Sequence, residues 1–283
     1  MTAVPASDVL LAGSRHVSAT WLAIRETADA AARSRALVPL VRRQLAGRPN
    51  VVIHDLGSGT GSMARWLAPQ LSARQHWILY DRDPDLLQTA AAELAQRVAD
   101  KASVTVETRL RDVTTLTPDD LQGADLVTAS ALLDLLTVAE VDQIAAACVG
   151  ARSPALLTIS VDGRVAMNPP DPWDVPIGVA FNAHQRRTTE KRSLLGPDAV
   201  RAAVGAFTRG GATTVVRSSP WRLDRDDSVL ASEWFVAWLA AACEQRPELA
   251  GAVSGYTDRR LAQLGDGRMR IMVGHEDLFV CHD

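Results

Sequence analysis

The chain reads as an α/β protein with a doubly wound, mainly parallel sheet of seven strands, N-terminal helices and a lid inserted after the fifth strand. Two observations predict this. Short apolar, β-branched runs alternate with segments of helical period between residues 51 and 161, the rhythm of strand–helix–strand units. A glycine-rich turn, Gly57-Ser58-Gly59-Thr60-Gly61, stands directly between the first of these strands and the helix behind it, a position where doubly wound sheets bind ligands. The chain has 283 residues, 47% of them hydrophobic and 22% charged, which suits one large domain with a sizeable core.

Taken in order, residues 1–46 form an N-terminal helical cap. Trp21, Leu22, Ile24, Ala28, Ala31 and Ala32 line one side of a helix, with Arg25, Glu26, Asp29 and Arg33 on the other. A second helix over 37–45 stops at the turn signal Gly47-Arg48-Pro49-Asn50. Residues 47–161 supply five strands, at 51–56, 77–81, 104–109, 124–129 and 155–161, with helices over 62–71, 84–99 and 138–148. Right-handed crossovers between them place helices on both faces. Residues 162–196 hold Asn168-Pro169-Pro170-Asp171-Pro172-Trp173 and show no clean period, so they read as a long irregular lid. Residues 197–283 complete the sheet: a helix over 197–207, a strand at 213–217, helices over 229–245 and 247–264, and a last strand from 270 to 274. Alternatively that strand runs on through Leu278-Phe279-Val280. His275 and Asp277 are expected in a turn before this C-terminal segment, with structural roles.

Charge and composition exclude several classes. A net charge of −3 with scattered arginines gives no basic stripe for a nucleic-acid backbone. Cys148, Cys243 and Cys281 stand far apart and form no C-x-x-C pair, which suits a reducing cytoplasm. No apolar stretch approaches the roughly 20 residues that span a bilayer, and the first residues lack a secretory pattern. No metal-ligand spacing stands out.

The chemistry gathers at the carboxyl ends of the first four strands. The glycine turn lets a ligand approach the main chain, and the following helix aims free N–H groups at it. Asp81 ends the second strand, 26 residues after Asp55, where a carboxylate can receive two ribose hydroxyls. A nicotinamide fingerprint also has such an acid, so these residues alone leave two cofactors open. The sixth fingerprint position, however, is Ser62, and the glycines run G-x-G-x-G with Asp55 two residues before the first.

This arrangement resembles the class I S-adenosylmethionine-dependent methyltransferases, whose first motif, D/E-x-G-x-G-x-G, is matched in full by Asp55, Gly57, Gly59 and Gly61. Tyr80-Asp81-Arg82-Asp83-Pro84 resembles their second motif, Arg111-Asp112-Val113 the third, and the segment from Ala124 through Ser130-Ala131 to Asp134 the fourth. The resemblance implies a Rossmann-like fold that binds S-adenosyl-L-methionine and releases S-adenosyl-L-homocysteine. It assigns the cofactor to Asp55, Gly57, Ser58, Gly59, Gly61, Asp81, Arg82, Asp112, Val113, Ser130 and Ala131. Asp81 would take the ribose, Asp112 and Val113 the adenine, and the fourth motif would lie beside the methionine part. Arg25 and Arg33 are candidates for the methionine carboxylate, because in many relatives an N-terminal helix supplies that donor and a guanidinium suits a carboxylate. Asp125 opens its strand and reads as structural.

For the acceptor, the candidate catalytic residues are His184, a base within His184-Gln185-Arg186-Arg187, and Asp134, in a position that often faces substrate in this family. Asp162, Trp173, Arg186 and Trp221 are candidate walls or contacts. That cluster favours a small, polar or anionic acceptor, with no nucleic-acid or membrane partner; the sequence leaves a homodimer open. Three other readings stay open: a cofactor-binding regulatory protein that transfers nothing, an NAD(P)-dependent oxidoreductase, and a scaffold subunit whose lid is an interface.

Overall fold

The computed structural model describes residues 17–98, 104–189 and 192–282; the expected cap residues 1–16 and the helix end at residue 99 lie outside them. In chain order the elements are α1 (Ala19–Ala32), α2 (Val38–Gln44), β1 (Asn50–Leu56), α3 (Ser62–Leu67), β2 (Arg74–Asp81), α4 (Pro84–Val98), β3 (Val104–Leu110), β4 (Leu126–Ser130), α5 (Val138–Gly150) and β5 (Ala155–Asn168). They continue with α6 (Asp174–Gln185), the short hairpin strands β6 (Thr188–Thr189) and β7 (Arg192–Ser193), α7 (Ala199–Arg209), β8 (Thr213–Ser218), β9 (Trp221–Leu223), α8 (Ser228–Gln245), α9 (Glu248–Ala252), α10 (Ser254–Gly265) and β10 (Arg270–Cys281).

The central sheet has the order β3-β2-β1-β4-β5-β10-β8, with β9 pairing on β10. Strands β1 to β5 are parallel to one another, whereas β10 runs antiparallel to β5, β8 and β9. An all-parallel dinucleotide fold would place its sixth strand directly beside the fifth; here the antiparallel β10 stands between β5 and β8.

Alternation along the strands sends side chains to two layers. Leu157, Leu278 and Val280 join Val141, Ile144, Phe207 and the rest of the α5–α7 side. Leu156 and Phe279 join Ile53, Trp77, Met63, Leu67 and Leu94 on the α2–α3–α4 side. A third core, around Trp234, Phe235, Trp238 and Tyr256, packs α6, α8 and α10 against Met167, Leu223 and Ile271.

Two expectations are corrected here. Residues 162–196 are not an irregular lid: β5 continues to Asn168, and α6 follows. The missing strand signal has a simple cause. Val161 to Asn168 obtain their ladder partners from His275 back to Arg270, a pairing more than a hundred residues away in sequence. The helix was hidden by Pro176, which the first turn tolerates; its buried face, Ile177, Ala180, Phe181 and His184, has plain helical spacing. The last strand is one continuous β10 through Cys281, as the longer alternative has it. His275 and Asp277 lie within it, beside two register shifts between Val273 and His275 and between Glu276 and Leu278, and not in a turn.

The helical layer is fastened by a buried ion pair. Arg260 is 1% exposed. It donates to Asp174, to the Pro169 carbonyl at 2.7 Å and to Gln263 Oε1 at 2.9 Å, while the Tyr256 hydroxyl donates to Asp174 Oδ1 at 2.9 Å. Removing the carboxylate strands a buried cation. Asp174→Ala is therefore expected to cost about 3–5 kcal/mol of stability, read from the midpoint of chemical denaturation at unchanged slope.

Candidate cofactor site

Strand β1 ends in the glycine turn, and Gly57, Gly59 and Gly61 all have positive φ, at 63°, 53° and 84°. At Gly59 the requirement is twofold. The backbone is left-handed, and a Cβ would stand 3.0 Å from Leu22 Cδ1 of α1. The Gly59 N–H donates to Asp81 Oδ2 at 2.8 Å, and the Ser58 N–H donates to the Tyr80 carbonyl at 2.8 Å. The turn is thus tied to the end of β2, with the Asp81 carboxylate at its mouth. Asp81 Oδ1 accepts from the Asp83 N–H at 3.0 Å, and each oxygen keeps capacity for a further donor.

Asp55 is 1% exposed. Its Oδ1 accepts from Thr128 Oγ1 at 2.7 Å, and Oδ2 has no partner among the described residues. Burial raises its carboxyl to about 7, the repulsion of Asp81 adding to this and the Thr128 hydrogen bond and Arg33 charge opposing it. Asp112 is exposed and caps the short turn Val113–Thr115. Against partial burial, the Thr114 hydroxyl and N–H and the charges of Arg82 and Arg192 hold its carboxyl below the usual range. Val113 is buried beside it, and Arg82 is exposed.

The most unusual residue is Arg33, just past the end of α1. Its side chain is 1% exposed, yet no carboxylate among the described residues pairs with it. Nη2 donates to Ser62 Oγ and Ser130 Oγ, both at 3.0 Å, joining the glycine turn to the end of β4. The guanidinium lies 5.6 Å from the Trp66 ring centre. Nε and Nη1 are buried without partners among the described residues. Burial lowers its pKa, and Asp29, Asp55 and Asp277 oppose this from a distance. Ala131, next to Ser130, has φ 53° and donates to the Thr158 carbonyl at 2.9 Å. Asp55 Oδ2, Ser58 Oγ and two nitrogens of Arg33 are therefore unsatisfied buried groups around one turn. Native interiors rarely leave such groups unpaired without a ligand or water.

Of the two arginines considered for a carboxylate, only Arg33 is uncommitted. Arg25 pairs with Asp29 at 3.0 Å and lies over the Trp221 ring at 5.0 Å. Trp221 is buried on β9 and donates to Asp29 Oδ1 at 2.9 Å, so it is a packing residue of the α1 contact and not an open pocket wall. Trp173 precedes α6 and packs against the helical core.

The expected histidine–arginine cluster does not form a free cationic site. His184 is buried in α6, with Nε2 2.9 Å from Glu244 Oε2 of α8, and it contacts Arg187. Arg186 is exposed and bonds Asp198 at 2.5 Å. Asp162 lies within β5, not at its end; it accepts from the Arg164 N–H at 2.9 Å and packs where a Cβ on Gly274 would stand. Asp134 behaves differently. It is half-buried with Oδ1 sealed from solvent and unpartnered, and burial raises its pKa against the pull of its own N–H and of Arg25. Asp125, as expected, is structural: it accepts from the Val52 N–H at 2.8 Å and pairs with Arg48.

Sequence reasoning missed Ser62 as a partner of Arg33, and it assigned Asp277 to a turn. The signal for Asp277 is weak: Gly274-His275-Glu276-Asp277 interrupts the apolar residues 271–273 and 278–280 as a turn would. Among the described residues no cluster of three metal-ligating side chains occurs, and no helix is long and apolar enough to cross a membrane.

The raised Asp55 carboxyl gives a pH prediction. In the folded state it binds its proton up to about pH 7, whereas an unfolded aspartate releases it near pH 4. The folded state then holds more protons across that window, so this group's contribution to stability falls as pH rises through it. Asp55→Asn, which keeps the oxygen facing Thr128, should remove that decline. Its stability relative to the parent should increase from pH 4 to pH 7.5 in denaturation series; a constant difference would contradict the burial of the charge.

Residues 53–154 match a family model described as a methyltransferase domain. No curated protein matches the chain by sequence. Solved structures with a similar fold include the YcgJ protein from Bacillus subtilis (12% identity, 88% of this chain and 100% of that one, TM-score 0.49). Others are phosphoethanolamine N-methyltransferase 2 from Haemonchus contortus in complex with S-adenosyl-L-methionine (15%, 99% and 60%, TM-score 0.48) and the cyclopropane synthase MmaA2 from Mycobacterium tuberculosis (14%, 86% and 83%, TM-score 0.43). The chain spans 60% of the length of the Haemonchus enzyme. What those proteins act on remains a property of those proteins. Residues 53–154, from within the first strand to the turn before the fifth, are thus the part of the chain that is similar to the methyltransferase domain family, and they carry the glycine turn, Asp81, Asp112, Ser130 and Asp134.

Proposed function

We propose that this chain transfers the methyl group of S-adenosylmethionine to a small polar molecule by in-line displacement. The observation that carries the cofactor half of this reading is Arg33: a buried guanidinium with two unpaired N–H groups, beside a glycine turn, fits the carboxylate of an amino acid. Asp81 would hold the ribose diol, Asp112 and the Val113 N–H the adenine, and Gly57, Ser58 and Gly59 would let the ligand lie against bare backbone. Ser130 and Ala131 would border the methionine part. Bound there, S-adenosylmethionine supplies a methyl group already activated on a sulfonium.

The protein's own task is then to orient an acceptor and exclude water. Asp134, with a sealed and unpartnered Oδ1, is the candidate to receive a hydrogen bond from an acceptor's N–H or O–H, and to take its proton where the chemistry needs a base. Arg25, Arg186 and Arg187 are already engaged with other side chains, so the reading favours a neutral or donor-bearing acceptor over an anion. His184 is no longer the preferred base, because its ring is held by Glu244. The three free cysteines suit a cytoplasmic setting.

S-adenosylhomocysteine should raise the thermal unfolding temperature and NAD or NADP should not; the reverse would refute the cofactor assignment. Asp81→Asn should weaken S-adenosylhomocysteine binding by about 10–100-fold, the worth of lost hydrogen bonds to a charged group, as measured by calorimetry.

A further inference from the structure

Asp277 is fully buried, with 0% exposure, and it is the meeting point of three separate segments. Its Oδ1 accepts from the Ile159 N–H of β5 at 2.8 Å and from the Ser219 hydroxyl, between β8 and β9, at 2.6 Å. Its Oδ2 accepts from the Ser34 N–H at 2.7 Å. Ile159 has φ 56°, an uncommon backbone for a β-branched residue, and it lies opposite the register shift between Glu276 and Leu278. Such strain persists only where surroundings over-determine it; here the carboxylate takes the N–H that the irregular strand does not return to the ladder.

The third bond bears on the cofactor site. Ser34 directly follows Arg33, and the Arg33 N–H is held by the Asp29 carbonyl at 2.9 Å. Arg33 is thus fixed on one side by the end of α1 and on the other by Asp277. The two charges also feel each other without touching: burial raises the Asp277 carboxyl, while bonds from Ser219, Ser34 and Ile159 and the Arg33 charge oppose it.

We infer that Asp277 is a positioning residue for the cofactor: through the Ser34 N–H it sets where the Arg33 guanidinium stands, so that the last strand of the sheet controls affinity for the amino-acid end of the ligand. This rests on the reading of Arg33 as the carboxylate holder. The other bonds on Asp277 supply the control. Ser219→Ala removes a donor to Asp277 Oδ1 and leaves the Ser34 N–H on Oδ2, whereas Asp277→Asn keeps the side-chain shape and removes the charge that receives the Ser34 N–H.

The test compares binding of S-adenosylhomocysteine and of 5′-methylthioadenosine, which lacks the amino-acid end, to the parent, Asp277→Asn, Ser219→Ala and Arg33→Gln, with unfolding temperatures measured alongside. Asp277→Asn should lose about tenfold or more in affinity for S-adenosylhomocysteine, the scale of a hydrogen bond to a charge, with 5′-methylthioadenosine unaffected; Ser219→Ala, which loses a bond to the same carboxylate but keeps the Ser34 link, should bind both ligands like the parent. Equal loss for both ligands, or no loss for either, overturns the positioning role. If Arg33→Gln leaves S-adenosylhomocysteine binding intact, the carboxylate reading itself fails, which is a separate outcome. Should Asp277→Asn not fold, Asp277→Ser takes its place; if neither folds, that counts against the proposal, because the carboxylate would then be a condition of the fold.

Discussion

A guanidinium held out of water between the N-terminal helix and the glycine turn organises this molecule. A buried charge is costly unless it is paired, and arginine cannot escape by losing its proton. Among the described residues Arg33 is paired only with two hydroxyls, Ser62 and Ser130, while Asp29, Asp55 and Asp277 favour it electrostatically. Each of those groups belongs to a different element: α1, β1, β10, the start of α3 and the end of β4. One side chain thus brings both halves of the sheet, and the helix laid across them, to a common point. Arg65 adds a second fastening from α3 to α1, donating to Glu26 Oε1 at 2.7 Å, and Leu22 closes on Gly59.

The second constraint is the length of β5 and β10. Beyond the point where β4 leaves β5, near Thr158, these two strands continue together and with β9 form a ribbon. Helices α6, α8 and α10 pack on it around Trp238 and Tyr256. What adjoins the carboxyl ends of the parallel strands is therefore a wall with its own hydrophobic core, not a loop free to fold over. Its arginines are mostly spent on fastening it: Arg260 on Asp174, Arg259 on Asp171, Arg186 on Asp198. Among the described residues, Asp134 Oδ1, Asn182 Oδ1 and Gln185 Oε1 are buried oxygens without a partner, and Asp134 is the one proposed to face an acceptor.

The parts of the fold governed by local pattern were legible. Strands β1 to β4, the glycine turn and the helices after them follow from apolar runs, turn chemistry and period, and Asp55, Asp81 and Asp112 stood where spacing put them. The failures share a physical cause. The outer half of β5 is polar and glycine-interrupted, at Asp162-Gly163-Arg164, and it is a strand only because β10 supplies partners from afar. His184 and Arg186 looked like a functional cluster because sequence shows their proximity but not Glu244 and Asp198, which neutralise them. Arg25 and Arg33 were indistinguishable on their helix. Only the fold shows that one meets Asp29 while the other is buried with nitrogens to spare. Asp277 was misplaced because Gly274-His275-Glu276-Asp277 between two apolar runs suggests a turn, and only the fold shows the Ser34 and Ile159 N–H groups that converge on its carboxylate.

The most direct measurement is a crystal structure of the chain with S-adenosylhomocysteine. The ligand's carboxylate should lie within hydrogen-bond distance of the Arg33 guanidinium and its ribose diol on Asp81. A ligand seated elsewhere, or one whose carboxylate leaves the Arg33 nitrogens unpaired, would contradict the assignment of this buried charge.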